Sequence, residues 1–186
     1  MLIAVLDACV LYSAPLRDFF MRLAVRLYQP KWTDAIHEEW IRNVLNNRTD
    51  ITLDNLTRTR ALMDRHGGDC LVRNYDTLSL TLSLPDVDDR HVLAAAIMSK
   101  APLIVTFNLS DFPANILSEH NIRAIHPDDF AIMLYLSNPN EFVKLVRLHR
   151  LALKDPPKTV HEYLKTLSIC GLLKTVVILQ NHIKDI

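Results

Sequence analysis

The chain begins with a run of apolar residues at positions 2–6, Leu-Ile-Ala-Val-Leu, which ends directly at Asp7. A continuous apolar run with β-branched members is typical of a strand that is buried on both faces, as in a parallel sheet. The segments 103–106 and 122–125 have the same character. We therefore predict three buried strands, which are separated along the chain by segments of a different pattern.

The segments between these strands have the spacing of amphipathic helices, with apolar residues three or four positions apart. The predicted helices cover about 16–28, 34–45, 53–65 and an alanine-rich segment at 92–97, and a short strand is expected near 70–72. Thr33 is predicted to cap the second helix, and Gly67-Gly68 is predicted to end the third. Leu93 is expected to face the core.

Alternation of strands and helices predicts an α/β fold, a three-layer α/β/α sandwich with a mainly parallel sheet. The pattern changes after Asp128, because residues 129–186 contain no strand signal. The segments 138–141 (Asn-Pro-Asn-Glu) and 159–162 (Thr-Val-His-Glu) are typical of helix starts. We predict a domain of residues 1–130 and a helical C-terminal extension of residues 131–186, with about three helices that pack on or beside the domain.

Composition narrows the classes of function. The chain has only three glycines and no GxxxxGK[ST] or GxGxxG motif, which argues against a P-loop enzyme or a Rossmann oxidoreductase. The formal net charge of zero gives no general support to nucleic-acid binding, although a cluster of acids at a metal site would itself lower the net charge. The three cysteines lack zinc-binding spacing, and no apolar run approaches the roughly 18 residues of a membrane span. We expect a cytoplasmic protein with reduced thiols and no membrane contact.

Acidic residues stand where predicted strands end and predicted helices begin. Asp7 follows the first strand, and Asp111 follows the second after a short loop, so a parallel sheet would bring both to its carboxyl edge. Asp89 precedes the alanine-rich helix and by itself would be interpreted as a helix cap. Asp7 is harder to explain, because an acid after five buried apolar residues is costly unless it is paired or bound to a cation.

Taken together, these acids predict a site for a hard divalent cation. Mg²⁺ and Mn²⁺ prefer oxygen ligands, and several carboxylates can hold one or two such ions. The ions would orient a water, lower its pKa and stabilise negative charge on a phosphate during an in-line displacement. They would also allow RNA to approach carboxylates that would otherwise repel it.

Four segments of the sequence resemble the PIN-domain family. They are LDACVL at 6–11, AIHEEW at 35–40, PDVDDRHVLAAA at 85–96 and IVTFNLSDF at 104–112. Each segment alone is a weak signal, but their order and spacing together make the resemblance specific over about residues 1–130. The resemblance implies a PIN-like fold and a ribonuclease site made of four acids.

Carried over by position, the resemblance implies a set of site residues. The catalytic acids are Asp7, Glu39, Asp89 and Asp111, the metal ligands are these four and Asp86, and the polar residues that support them are Thr106 and Asn108. Glu38 is the alternative to Glu39 as the second acid. The implied cofactor is Mg²⁺ or Mn²⁺.

The sequence departs from the family pattern directly after Asp7. Many members have a small hydroxyl residue followed by Asn, whereas Ala8 and Cys9 stand at these positions here. We therefore expect one hydrogen bond to the site to be missing, with a weaker metal affinity as the consequence. Cys9 is expected to pack rather than to act as a nucleophile, because a neighbouring carboxylate disfavours its thiolate.

Positively charged side chains near the acids are candidates for phosphate contact. We name Arg17, Arg42 and Arg90 as possible RNA contacts, with solvated helix faces as the equally weighted alternative. A basic stripe at 144–154 in the C-terminal region has the same two interpretations. His37 lies beside the acids in sequence, and a position on the helix surface is expected for it.

The leading hypothesis is a divalent-metal-dependent endoribonuclease that cleaves RNA phosphodiester bonds. Many proteins of this fold resemble the VapC-type toxins of toxin–antitoxin pairs, so the implied partners are an RNA substrate, an antitoxin protein and a second copy in a homodimer. One alternative is a catalytically weak RNA-binding or scaffold module. Another is a phosphatase-like hydrolase, which is disfavoured because Cys9 stands where the DxD pattern needs an acid.

Overall fold

The structure is a computed structural model that describes all residues from Met1 to Ile186. Its strands are β1 (Leu2–Leu6), β2 (Tyr28–Lys31), β3 (Leu103–Val105) and β4 (Arg123–Ile125). Its α-helices are α1 (Ala8–Tyr12), α2 (Ala14–Ala24), α3 (Asp34–Asn47), α4 (Leu53–His66), α5 (Asp76–Ser79), α6 (Arg90–Ser99), α7 (Ala114–Ser118), α8 (Pro127–Ser137), α9 (Pro139–Ala152), α10 (Val160–Ile169) and α11 (Leu173–Gln180). A short 3-10 helix covers Leu109–Asp111. None of the helices has the length and apolar character that a membrane crossing requires.

The four strands form one parallel sheet in the order β2-β1-β3-β4. β1 and β3 occupy the centre, and Leu6 stands opposite Val105 in their register. Because all strands point the same way, the residues that follow Leu6 and Val105 meet at one edge of the sheet. The predicted α/β sandwich with a parallel sheet and C-terminal helices is confirmed.

Local capping signals in the sequence correctly marked three helix starts. The Thr33 hydroxyl accepts a hydrogen bond from the Ile36 amide at 3.1 Å at the start of α3. The Asn138 side chain caps α9 in the same way, and Thr159 forms a reciprocal capping box with Glu162 at α10. In each case the cap satisfies backbone donors that lack partners within the first helical turn.

Strand β2 is the main departure from the predicted elements. The helix expected over 16–28 ends at Ala24, and Tyr28 begins a strand that pairs with β1. Its sequence, YQPK, has no apolar run, and Pro30 is tolerated because β2 is an edge strand. The strand expected near 70–72 is only a single bridge between Trp32 and Leu71.

One hydrophobic core joins the sheet to the C-terminal helices. A single cluster of 45 buried residues includes members of the sheet, of α6 and of α9–α11. Phe20 of α2 lies 5.7 Å from Phe130 of α8, and Phe19 lies 6.2 Å from Phe142 of α9, measured between ring centroids. Leu93 is fully buried, as expected. The division into residues 1–130 and 131–186 stays a prediction.

Candidate active site

Asp7 lies at the carboxyl end of β1 with only 3% of its surface exposed. Its Oδ1 accepts a hydrogen bond from the Ala8 amide at 2.6 Å, which fixes the start of α1. Its Oδ2 accepts from the Thr106 hydroxyl at 2.7 Å. Burial is the largest influence on this carboxyl and raises its pKa, the charge of Glu39 acts in the same direction, and the hydrogen bonds oppose both.

Cys9 supplies a hydrogen bond that the sequence comparison did not anticipate. Its thiol donates to Asp7 Oδ2 at 3.1 Å and lies 3.4 Å from the Thr106 hydroxyl. Its sulfur also accepts from the Phe107 amide at 3.4 Å. Cys9 therefore does make a hydrogen bond to the site, whereas Ala8, which has no polar side chain, contributes only its backbone amide. Burial, followed by the charge of Asp7, raises the pKa of Cys9 to about 12, so the thiol stays protonated and is a poor nucleophile.

Asp89 stands at the N-terminal end of α6, but its side chain does not cap the helix. Burial raises the pKa of Asp89 to about 7, and four negative charges add to the increase. In decreasing order of effect, these charges belong to Asp7, Asp86, Asp111 and Glu39. Carboxylates shift one another's pKa only when they are near, so these five acids share one electrostatic environment at the carboxyl edge of the sheet.

Glu39 and Glu38 point to different surroundings. Glu39 Oε2 lies 3.7 Å from His91 Nε2, and Glu39 also acts on the pKa values of Asp7 and Asp89. Glu38 is exposed and lines a groove between α3 and α4. The geometry therefore favours Glu39 over Glu38 as the second acid.

His91 was not named as a site residue from the sequence. It lies two positions after Asp89 on α6, and its Nδ1 is buried without a hydrogen-bond partner. Its position at the helix start beside Asp89 is the sequence signal that could have pointed to it. Its proximity to Glu39 could be seen only in the structure, because α3 and α6 are distant along the chain.

The other predicted site residues lie around these acids. Asp111 ends the 3-10 helix, and the Ser110 hydroxyl donates to its Oδ1 at 3.3 Å. Asp86 is exposed, and its Oδ1 accepts from the Asp88 amide at 2.8 Å. Asn108 is exposed and contributes through its backbone, since its amide donates to the Thr106 hydroxyl oxygen at 3.0 Å. Thr106 therefore links this loop to Asp7.

The fit of this site to a divalent cation rests on the chemistry of its donors. All the clustered side chains are carboxylates, which are the ligands that Mg²⁺ and Mn²⁺ prefer, and their mutual repulsion at Asp89 is what a cation would offset. No three or more His, Cys, Asp or Glu side chains are grouped as a ready metal-binding set. Such an open arrangement is compatible with an ion such as Mg²⁺, which usually keeps several waters and uses one or two carboxylates directly.

The three predicted RNA contacts differ in accessibility. Arg17 is 6% exposed, donates through Nη1 to the Leu11 carbonyl oxygen at 2.9 Å and stacks on the Trp40 ring at 4.8 Å. Its burial contradicts the prediction that it contacts phosphate. Arg42 is exposed beside the groove between α3 and α4, and Arg90 is half-buried, with its Nε unpaired.

His37 is fully buried, so the predicted surface position is wrong. Its Nδ1 accepts from Trp40 Nε1 at 2.9 Å, and its Nε2 lies 3.1 Å from Asp64 Oδ1. An accepting Nδ1 requires a neutral ring with its proton on Nε2. Burial lowers the pKa of His37, in agreement with the neutral form. This network joins α3, which carries Glu39, to α4.

Comparisons with known proteins give two matches. The family model described as "VapC50 C-terminal domain" matches residues 127–181. A curated protein of Mycobacterium tuberculosis named "Putative ribonuclease VapC50" is 46% identical over 80 residues, which cover 42% of this chain and 47% of that protein. The chain thus spans about half the length of the curated relative that it matches. No solved structure matches the chain.

Proposed function

We propose that this chain, which the two matches support as a VapC-like member of the PIN-domain family, is a divalent-metal-dependent endoribonuclease. Two observations support the proposal: the pairing of β1 with β3 brings Asp7 and the loop after β3 to one edge of the sheet, and the charges of Asp7, Asp86, Asp111 and Glu39 add to the raised pKa of Asp89. Carboxylates that raise one another's pKa are an unfavourable arrangement in a purely structural role, and they are characteristic of functional sites.

In this proposal Asp7, Glu39, Asp89 and Asp111 hold Mg²⁺ or Mn²⁺, with Asp86 as a further ligand. The ion supplies positive charge that offsets the charge of the RNA phosphate and makes a water a better nucleophile. Thr106 and Cys9 hold the Asp7 carboxylate in one orientation through their hydrogen bonds to its Oδ2. That orientation keeps the buried ligand in place before the substrate arrives.

Substrate and partner assignments follow from the same proposal. Arg42 and Arg90 are the remaining candidates for phosphate contact, because Arg17 is buried. The curated relative carries the name "Putative ribonuclease VapC50". For this chain we propose RNA as the substrate, a toxin role with an antitoxin protein as partner, and a homodimer as the assembly.

Cleavage of a mixed RNA pool tests the proposal. Wild type and Asp7→Asn are incubated with Mg²⁺, Mn²⁺ or EDTA, and the products are resolved on a denaturing gel. We expect cleavage with the ions, none with EDTA and a loss of about a hundredfold or more in Asp7→Asn, since a charged ligand is removed while its shape is kept. Folded wild type that binds RNA without cleaving it under any condition would instead indicate a binding module.

Glu39→Gln and Glu38→Gln form a matched pair within the same experiment. The two residues are neighbours on α3, and only Glu39 acts on the pKa values of Asp7 and Asp89. We expect Glu39→Gln to lose cleavage and Glu38→Gln to retain it. The reverse result would move the second acid to Glu38.

A further inference from the structure

The turn that joins α10 to α11 lies directly against the loop that follows β3. Gly171, in this turn, has a φ of +86°, and a Cβ built on it would stand 3.2 Å from Cε1 of the Phe107 ring. The Phe107 ring also meets the His126 ring edge-to-face, with ring centroids 5.0 Å apart. The ring therefore contacts both the residue that follows β4 and a turn of the C-terminal region.

Phe107 is connected to the acidic site through its backbone. Its amide donates to the Cys9 sulfur, whose thiol donates in turn to Asp7 Oδ2. Phe107 also lies between Thr106, which donates to the same oxygen, and Asn108, whose amide donates to Thr106. A displacement of the Phe107 ring would therefore be transmitted to the hydrogen bonds that orient Asp7.

The turn itself is fixed by contacts on both sides. The Cys170 sulfur lies 3.5 Å from the Ser13 hydroxyl at the junction of α1 and α2. Beyond the turn, the buried Asp128 carboxylate accepts from the Lys174 amide at 2.7 Å and from the Thr175 amide at 2.9 Å. These contacts attach the start of α11 to α8, so Gly171 is held against Phe107 by the tertiary structure.

A positive φ alone would favour glycine at position 171, whatever lies beside it. Gly68 provides the comparison, because it has a φ of +67° and the nearest atom to a Cβ built on it is 3.9 Å away, in Gln29. The two glycines share the backbone strain that a substitution would impose, and only Gly171 has a ring of the candidate site in close contact.

We propose that Gly171 is a positioning residue that seats the Phe107 ring, so that the C-terminal helices form part of the active centre. This inference rests on the proposed function for its catalytic consequence. Its structural consequence, the immobilisation of residues 106–111, does not depend on which reaction the site performs.

The experiment compares Gly171→Ala, Gly68→Ala, Phe107→Leu and the double variant Gly171→Ala/Phe107→Leu. Hydrogen exchange of the 106–111 amides reports the loop, Mn²⁺ binding reports the site, and RNA cleavage gives kcat and KM. Exchange and Mn²⁺ binding are measured without substrate, so they remain informative even if the proposed ribonuclease function fails.

We expect Gly171→Ala to speed exchange of the 106–111 amides and to lower kcat roughly tenfold to a hundredfold, because small displacements at a catalytic site are costly. KM should change by less than about twofold, since the RNA-binding surface is not altered. Gly68→Ala should lose similar thermal stability and keep both the exchange pattern and kcat. The double variant should resemble Phe107→Leu alone, because both changes disturb one contact.

The inference would be overturned if Gly171→Ala and Gly68→Ala, compared at equal thermal stability, changed the exchange of the 106–111 amides equally. It would also be overturned if the effects of Gly171→Ala and Phe107→Leu on kcat were strictly additive in the double variant. If Gly171→Ala does not fold, Phe107→Leu carries the test. Unchanged exchange and unchanged kcat in that variant would then refute a positioning role. A wild type without Mn²⁺ binding or cleavage would refute the proposed function alone, and the exchange comparison would still decide the positioning of the loop.

Discussion

Two aspartates of this protein are equally buried and have different surroundings. Asp7 and Asp128 are each 3% exposed, and each lies at or shortly after the end of a strand. Asp128 accepts from the amides of Lys174 and Thr175 and from the Thr175 hydroxyl, all at the start of α11. Asp7 also accepts hydrogen bonds, but Glu39 and Asp89 add negative charge around it.

The difference shows that burial of an acid does not by itself identify a site. The amino-terminal end of a helix carries partial positive charge and free amides, so α11 compensates the Asp128 carboxylate completely within the protein. Around Asp7 the protein instead brings further carboxylates close. Glu39 lies 3.7 Å from His91, and no salt bridge joins Asp7 or Asp89 to a basic side chain. This second arrangement is the basis on which we propose a divalent cation at Asp7.

The largest effect is expected from a new carboxylate that is buried without a helix start or a cation beside it. Leu93 is fully buried in α6, so Leu93→Glu places a carboxylate in the core. We expect a loss of more than about 4 kcal/mol in the free energy of unfolding, enough to unfold a domain of ordinary stability. Circular dichroism during urea titration measures it, and a cooperative, soluble variant would refute the placement of Leu93.

Disturbing the hydrogen bonds between Asp128 and the start of α11 should have the next largest effect. In Asp128→Asn an amide group would replace one acceptor and face a backbone donor of α11. We expect a loss of roughly 2–3 kcal/mol in the free energy of unfolding. Asp129→Asn is the matched control, because its ion pair with Lys174 is exposed to solvent and should contribute little to the free energy of unfolding. Equal losses of the free energy of unfolding for the two variants in urea titrations would show that the buried hydrogen bonds of Asp128 contribute no more than the exposed ion pair of Asp129.

Asp7→Asn should affect metal binding far more than it affects folding. Asn keeps the size of the side chain and removes one of several mutually repelling charges, which offsets part of the cost of placing an amide group against the donors of Asp7. We therefore expect the free energy of unfolding in EDTA to change less than in Asp128→Asn. Wild type should gain about 3 kcal/mol at Mn²⁺ concentrations a hundred times the dissociation constant, and the variant should lose most of this gain. Thermal melts with and without Mn²⁺ measure both, and a full Mn²⁺ shift in the variant would exclude Asp7 as a ligand.

The smallest expected effect is a dependence on pH. The pKa of Asp89 is about 7 in the folded protein, whereas an unfolded Asp has a pKa of about 3.9. The folded state then binds more protons between these values, so the free energy of unfolding falls as pH rises from about 4 to 7 in EDTA. The buried His37 and His149 act in the opposite direction because burial lowers their pKa values.

The difference between wild type and Asp89→Asn isolates the contribution of this carboxyl. We expect the melting temperature of wild type, relative to the variant, to drop by about 2–4 °C between pH 5 and pH 7, after allowance for screening by solvent. A constant difference across this range in thermal melts would show that Asp89 has no raised pKa. Saturating Mn²⁺ should remove the drop, because a bound cation favours the charged form.

The sequence was informative where a signal is local. Thr33, Asn138 and Thr159 were identified as helix caps because a cap needs only a side-chain acceptor and an amide a few residues on. Strand β1 was identified because a strand that is buried on both faces is apolar throughout. Strand β2 was missed because its residues gain stability from pairing with β1, and nothing in YQPK reports that pairing.

Positions that depend on distant parts of the chain could not be predicted. Arg17 is buried against Trp40 of α3, and His37 is buried between Trp40 and Asp64 of α4. The local sequence pattern does not report these contacts, so it predicted a surface position for both residues. The roles of His91 beside Glu39 and of Phe107 beneath Gly171 likewise require elements that only the fold brings together.

The sequence by itself therefore determined the class of the fold and three helix starts, because each follows from local patterns of residues. The four acids of the proposed site were implied by the resemblance to the PIN-domain family. Only the tertiary structure decided which acids lie near one another and which buried acid is already satisfied by the protein. It also brought a turn of the C-terminal region against the loop of the site. The reason is physical: hydrogen-bond partners, desolvation and charge repulsion depend on distances in space, and parallel strands with helical crossovers bring together residues that are far apart along the chain.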